Sequence, residues 1–159
     1  YKLIKKIPDL KINLYGIGYS KSDEKNPDIV YKGAFPADDL PGELEGKYGL
    51  VWDGSDTENC IGSTGQYLKY NNPHKASLYV ASGIPIIIWE QAALADFVLE
   101  NKIGIAVENL NHIKETIDGI DEQDYIIMKE NIDKMSRDVR RGAYMETAID
   151  KAERILGDV

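Results

Sequence analysis

Asn72-Pro73-His74-Lys75-Ala76-Ser77-Leu78-Tyr79-Val80-Ala81-Ser82-Gly83-Ile84-Pro85-Ile86-Ile87-Ile88-Trp89 is the stretch whose reading decides the fold. Asn72 is a good N-cap, Pro73 suits the first helical position, and Gly83 follows the last turn, so a helix is expected between them. Gly83-Ile84-Pro85 then opens a strand over Ile86–Trp89 that is apolar at every position. A strand with two apolar faces must be covered on both, which is the signature of a parallel sheet between helices.

Working outward, the same alternation repeats. Lys11–Tyr15 reads as a strand ending at Gly16-Ile17-Gly18, Ile29–Tyr31 as a second that extends towards Phe35, and Tyr48–Trp52 as a third stopping at Asp53-Gly54. Ile103–Val107 is the fifth, and no hairpin signal such as Asn-Gly joins any pair. Helices are expected at Asp38–Glu45 and Ala92–Glu100, and along the apolar face of Leu110, Ile113 and Ile117 that Gly119 ends. Asp121 caps a further helix carrying Ile127, Ile132 and Met135. A long amphipathic helix over residues 138–156 follows through Val139, Met145, Ile149, Ala152 and Leu156, bent near Gly142. The expected class is α/β: a Rossmann-like, doubly wound parallel sheet with a C-terminal helical tail. Ligands in such sheets bind beyond the carboxyl ends of the strands.

The 159 residues suit one domain and bury a core. Reading begins at Tyr1 rather than Met, so residues 1–159 are expected to be a domain of a longer protein. The formal charge of −8 argues against nucleic-acid backbone or an anionic membrane as partner. Cys60 is the only cysteine, which excludes an internal disulfide and a Cys-rich metal site. The longest strongly apolar run, Ile84 to Trp89, is too short to span a membrane. The acids are unevenly spread: from Asn59 through Trp89 there is no Asp or Glu, while His74, Lys69 and Lys75 are present. Burial explains the Ile84–Trp89 part of that gap, because buried elements shed charge. It does not explain the polar stretch from Gln66 to Lys75, which fits a site for a small anion.

Lys75 carries most of the chemistry. A cation in the first turn of a helix opposes the helix dipole by up to about 1 kcal/mol. A bound phosphate reverses that sign, because backbone N–H groups and the ammonium then face negative charge together. The plainer alternative is a lysine whose stem lies on apolar surface and whose amine reaches solvent. Ala92-Ala93-Leu94, after the fourth strand, has side chains small enough to bring a ligand to the backbone, and Asp96 follows as a polar group for a sugar. Gly16-Ile17-Gly18 is a weak phosphate turn: the third glycine of a dinucleotide fingerprint would fall at Lys21, against NAD. Gly62-Ser63-Thr64-Gly65 reads as a loop that could fold over a ligand. Asp38-Asp39 and Asp53-Gly54-Ser55-Asp56 are better explained as a helix start and a turn than as a metal site. Cys60 lacks a basic or helix-start context, and neither His74 nor His112 has a nucleophile motif.

The run from Tyr70 to Glu90, with Ala92-Ala93-Leu94-Ala95-Asp96-Phe97-Val98 after it, resembles the donor-nucleotide segment of glycosyltransferases with the GT-B fold. The shared pattern is Pro-x-Lys, then Tyr-x-Ala-x-Gly-x-Pro, then a hydrophobic strand. It is most similar to bacterial galactofuranosyl- and glucosyltransferases that decorate surface glycans or glycoproteins. The resemblance runs from about Lys11 to Leu156 and is most specific over Asn72–Trp89. It implies the C-terminal half of a GT-B enzyme, binding a UDP-sugar as donor substrate without a metal or other cofactor. It places Lys75 on the donor diphosphate, with Asn72, Pro73, His74, Ala76, Ser77 and Leu78 along that wall. It sets the bend Gly33-Ala34-Phe35 against the base, adds Gly16 to the residues on the donor nucleotide, and puts the amides of Ala92, Ala93 and Leu94 near phosphate or sugar. The helix over 138–156 would cross towards an N-terminal domain that contacts a glycan or glycoprotein acceptor.

The resemblance further implies a cytoplasmic enzyme, compatible with a peripheral place at the inner membrane face and with a homo-oligomer. One departure matters: many retaining relatives carry a Glu where this chain has Leu78, so the ribose contact must come from elsewhere. No residue here can be named as catalytic base, and the isolated domain is expected to be inactive. Two other classes remain open on the residues alone. One is a Rossmann-like assembly module without catalysis; the other is an NAD-dependent enzyme using Gly16–Gly18.

Overall fold

A computed structural model describes Ile7, residues 10–19 and residues 27–157. Among these residues five strands and seven helices follow one another: β1 Ile12–Tyr15, β2 Ile29–Gly33, α1 Leu40–Glu43, β3 Gly49–Val51, α2 Gly62–Tyr67, α3 His74–Ala81, β4 Ile86–Trp89, α4 Ala95–Glu100, β5 Gly104–Val107, α5 Ile113–Asp118, α6 Glu122–Arg140 and α7 Ala143–Gly157. Every strand pairing among them is parallel. The chain is therefore α/β and Rossmann-like with a helical tail. The strands form two open sheets, β1-β2 and β3-β4-β5. Glu45 links them: its N–H donates to Tyr15 Oη at 2.9 Å, and its carbonyl accepts from Asn13 Nδ2 at 2.8 Å.

β4 is buried at all four positions and lies between β3 and β5. Its three isoleucines and Trp89 join Val51, Leu68, Val98, Ile103 and Leu110 in one core. Each isoleucine side chain removed from water contributes roughly 1.5–3 kcal/mol, an upper estimate against a compact unfolded chain. Two glycines allow the close approach of layers. A Cβ on Gly49 would clash with the Tyr79 ring at 2.3 Å, and one on Gly104 would collide with the Ile86 carbonyl group.

α3 ends in a Schellman motif. Ile84 N–H donates to the Tyr79 carbonyl at 2.9 Å, Gly83 N–H donates to Val80 at 3.0 Å, and Gly83 takes φ +65°. Glycine is needed there twice over, because a Cβ would also sit 2.5 Å from Asp133 Oδ1 on α6. α6 holds α3 from outside: Lys129 Nζ donates to the Gly83 carbonyl at 2.9 Å, and Ser136 Oγ to the Ala81 carbonyl at 2.8 Å. Asp121 caps α6, its side chain accepting from Gln123 N–H.

Several expected boundaries move. The cap of α3 is Pro73, not Asn72, and its extended ψ of 135° delays the helix to His74. Lys75 is thus the second helical residue. Residues 62–65 are not a loop but the start of α2. Gly65 is there because it packs on Cys60, where a Cβ would strike the backbone carbonyl group. The long helix expected over 138–156 is two helices, broken at Arg141–Gly142, where Gly142 takes φ +80°; Val139 belongs to α6. The helix expected from Ala92 begins at Ala95, because residues 90–94 form turns.

Candidate functional site

β3 runs out at Val51 into Trp52, Asp53 and Gly54, the last at φ +114° with the backbone of Ile61 close against it. α3 starts beside this exit, and its first turn lacks a side-chain cap. Between them lies an open cleft of about 560 Å³, lined by Asp53, Tyr67, Asn71 and the run Asn72–Lys75. It sits at the carboxyl end of a strand, where parallel sheets bind ligands. Four sequence-predicted residues, Asn72, Pro73, His74 and Lys75, are brought together there.

Lys75 Nζ lies 2.5 Å from Asp53 Oδ1 and donates to the Trp52 carbonyl at 3.3 Å. The acid-free surroundings of Lys75 in sequence are therefore completed in space by a carboxylate 22 residues away. The same pairing accounts for Asp53, weighed above as part of a turn. Asp56 makes the turn itself, accepting Glu58 N–H on its carboxylate and Trp52 Nε1 on its carbonyl. Among the described residues no group of three or more His, Cys, Asp or Glu stands close enough to hold a metal ion.

The cleft also has residues that sequence reasoning did not single out. Tyr67 is exposed and contributes an aromatic wall. Asn71 Oδ1 is shielded from solvent and has no hydrogen-bond partner among the described residues. Both fall inside the stretch without carboxylates, which was the available signal for them. Lys69, another cation of that stretch, is explained without a ligand, since its ammonium lies 5.3 Å over the Trp89 ring. Ala76 is buried in the core and supports the cleft from behind; Ser77 is exposed and Leu78 half-buried farther along α3.

A second, smaller hollow of about 100 Å³ lies at the carboxyl end of β1, lined by residues from Leu14 to Tyr19. Gly16 N–H donates to the Gly33 carbonyl at 2.8 Å, and Tyr31 Oη donates to the Gly16 carbonyl at 2.7 Å. Gly16 and Gly33 take φ of +116° and +108°, which L side chains resist. The Phe35 ring stands 6.3 Å from that of Tyr15, and Ala34 is exposed between Gly33 and Phe35. Gly16, Gly33 and Phe35 are thus neighbours, and none of them lines the cleft by Lys75. Lys21, the position where a dinucleotide motif would need glycine, lies outside the described residues.

Two of the three amides expected near the ligand after β4, those of Ala92 and Ala93, have acceptors within the protein. Ala92 N–H donates to the Trp89 carbonyl at 3.0 Å, and Ala93 N–H to the Leu68 carbonyl at 2.8 Å. These donors close the turn onto the core and are not free for a phosphate. Cys60 is fully buried, and burial pushes its thiol up to about 11, so it is a poor nucleophile. His112 is exposed, 3.4 Å from Glu115, and away from either hollow.

No helix among the described residues is long and apolar enough to cross a membrane. Residues 1–152 match the family described as glucosyltransferase 3-like, C-terminal domain. The chain is 39% identical over 151 residues to the beta-1,6-galactofuranosyltransferase WbbI of Escherichia coli K12, covering 92% of this chain and 43% of that protein. It is 27% identical over 134 residues to glucosyltransferase 3 of Streptococcus gordonii, covering 82% of this chain and 39% of that relative. A glucosyltransferase 3 of Streptococcus parasanguinis is 26% identical over 129 residues, covering 79% and 37%. The chain thus spans about two fifths of the length of these relatives.

Proposed function

The chain belongs to the glucosyltransferase 3-like C-terminal domain family, and from that membership we propose that it binds the nucleotide-sugar donor of a GT-B glycosyltransferase. The observation that carries the reading is the cleft where Lys75, at the start of α3, meets the carboxyl end of β3. The donor is a UDP-sugar, and the hexose is galactofuranose, favoured by the higher identity to the Escherichia coli relative. The acceptor is a glycan or glycoprotein, engaged by the part of the full-length protein outside this chain.

In the transfer, an acceptor hydroxyl forms a bond to the anomeric carbon as the bond from that carbon to the diphosphate oxygen breaks. Negative charge grows on the leaving diphosphate. Lys75 and the uncapped N-terminus of α3 are arranged to stabilise it, an electrostatic contribution strongest where the groups are already in place. Fixed positive charge of this kind does the work that a metal does elsewhere, so activity is expected to survive chelator. Tyr67 suits contact with a ring, and the unpartnered Asn71 Oδ1 suits a ligand donor. The hollow by Gly16, Gly33 and Phe35 is assigned to the base.

Calorimetric titration of UDP into the full-length protein tests this. Lys75→Ala is expected to weaken binding by roughly tenfold or more, the effect of losing one charge-assisted bond. Absence of binding at millimolar UDP, or affinity unchanged by the substitution, would falsify the donor-site assignment. A second reading, an assembly module without catalysis, is favoured by α7, which buries none of its residues. It predicts association of chains with no nucleotide binding, so the same titration separates the two.

A further inference from the structure

We propose that Asp53 is an exchangeable counterion for Lys75, neutralising its ammonium while the cleft is empty and giving it up when a diphosphate arrives. The proposal rests on the donor-site reading and adds a residue that reading does not use. Among the described residues Asp53 is the only carboxylate lining the cleft, and its Oδ1 lies 2.5 Å from Lys75 Nζ. The Lys75 and Asp53 side chains remain 48% and 32% exposed, so the pair is solvated and held weakly.

A diphosphate competes on better terms than one carboxylate. It carries more charge and more acceptor oxygens, and it also gains the N-terminus of α3, which no side chain caps. Asp53 meets only the end of the lysine, from the segment leaving β3. Trp52 supplies a second anchor through its carbonyl, so Lys75 stays at the cleft wall instead of sweeping through solvent. The arrangement keeps the ammonium in place and discourages weak anions, at the expense of some donor affinity.

The test is titration of inorganic pyrophosphate and of UDP into the full-length protein as wild type, Asp53→Asn, Lys75→Ala and the double variant, at fixed ionic strength. Asp53→Asn is expected to tighten both ligands by about two- to fivefold, the range set by an exposed ion pair. In the Lys75→Ala background the same change is expected to do almost nothing, because its partner is gone. Asp56→Asn removes an equal charge from the adjacent turn, and it must give a clearly smaller gain than Asp53→Asn. Circular dichroism checks that each variant is folded, and Asp53→Ser replaces Asp53→Asn if the latter is not.

Lys75→Ala losing affinity while Asp53→Asn leaves it equal or weaker would overturn the counterion role and keep the donor site. An equal gain from Asp53→Asn with and without Lys75 would overturn it too, showing only bulk charge. If Lys75→Ala changes neither ligand, the donor-site reading fails and the counterion falls with it.

Discussion

β1 pairs with β2 in parallel through four registered positions, as β4 does with β5, yet no residue of β1 is buried and every residue of β4 is. The first ladder slips register between Leu14 and Tyr15 while the second is regular, but the larger difference is in the covering. α3, backed by α6, packs on the larger sheet, so the ends of its strands are held by a core on which side-chain chemistry can be built. The smaller sheet buries only Ile29, and around it are polar bonds and ring contacts such as Tyr19 on Tyr31 at 4.7 Å. Each sheet has a hollow at its carboxyl end, one with a lysine on its wall and one lined by Gly16 and Gly18 between Tyr15 and Tyr19.

Matched substitutions test that contrast most strongly. Gly49→Ala drives a methyl into the Tyr79 ring and is expected to cost about 2–3 kcal/mol. Gly16→Ala meets no atom within 4 Å and costs only the strain of its φ of +116°, about 1 kcal/mol. Urea midpoints measure both, and equal losses would erase the distinction between the sheets.

Alkali gives the next largest effect, and it acts on the larger sheet's surroundings. Burial raises the Cys60 thiol to about 11 and the Tyr48 phenol to about 12, and it raises Tyr79 as well. The unfolded chain releases these protons nearer the ordinary values of 9.0 and 10.0. Between those limits the unfolded state binds fewer protons than the folded one, so stability must fall as pH rises from 9 to 12. Urea midpoints at stepped pH read the slope, and a flat profile would mean these groups are solvated.

The smallest expected effect is at Trp89, which is buried while its Nε1 has no partner among the described residues. Trp89→Phe removes that unsatisfied donor but opens a space, and the two terms nearly offset. The net change should stay within about 1 kcal/mol. A loss above that would show that the indole N–H has a partner.

Local signals were legible where one residue determines one feature. Ile86–Trp89 is a strand as read, Gly83 ends α3, Asp121 caps α6, and Asn72–Lys75 line a cleft. What escaped was set by contacts distant in sequence. Nothing near Lys75 announces Asp53, because the β3 exit and the α3 start meet only in the fold. Gly62-Ser63-Thr64-Gly65 looks loose because glycine signals both flexibility and close packing, and only the position of Cys60 separates the two. The Ala92 and Ala93 amides look available until Trp89 and Leu68 supply their acceptors.

Glu45 has a mechanical consequence. Besides its two backbone bonds to Tyr15 and Asn13, its carboxylate lies 2.6 Å from Lys32 Nζ, so one residue ties both strands of the small sheet to the chain that enters the large one. It works as the pin of a joint. A tilt of one sheet against the other loads these three polar bonds while leaving each strand ladder whole, and such bonds exchange readily with water. Each of the two hollows belongs to one of the sheets that Glu45 joins.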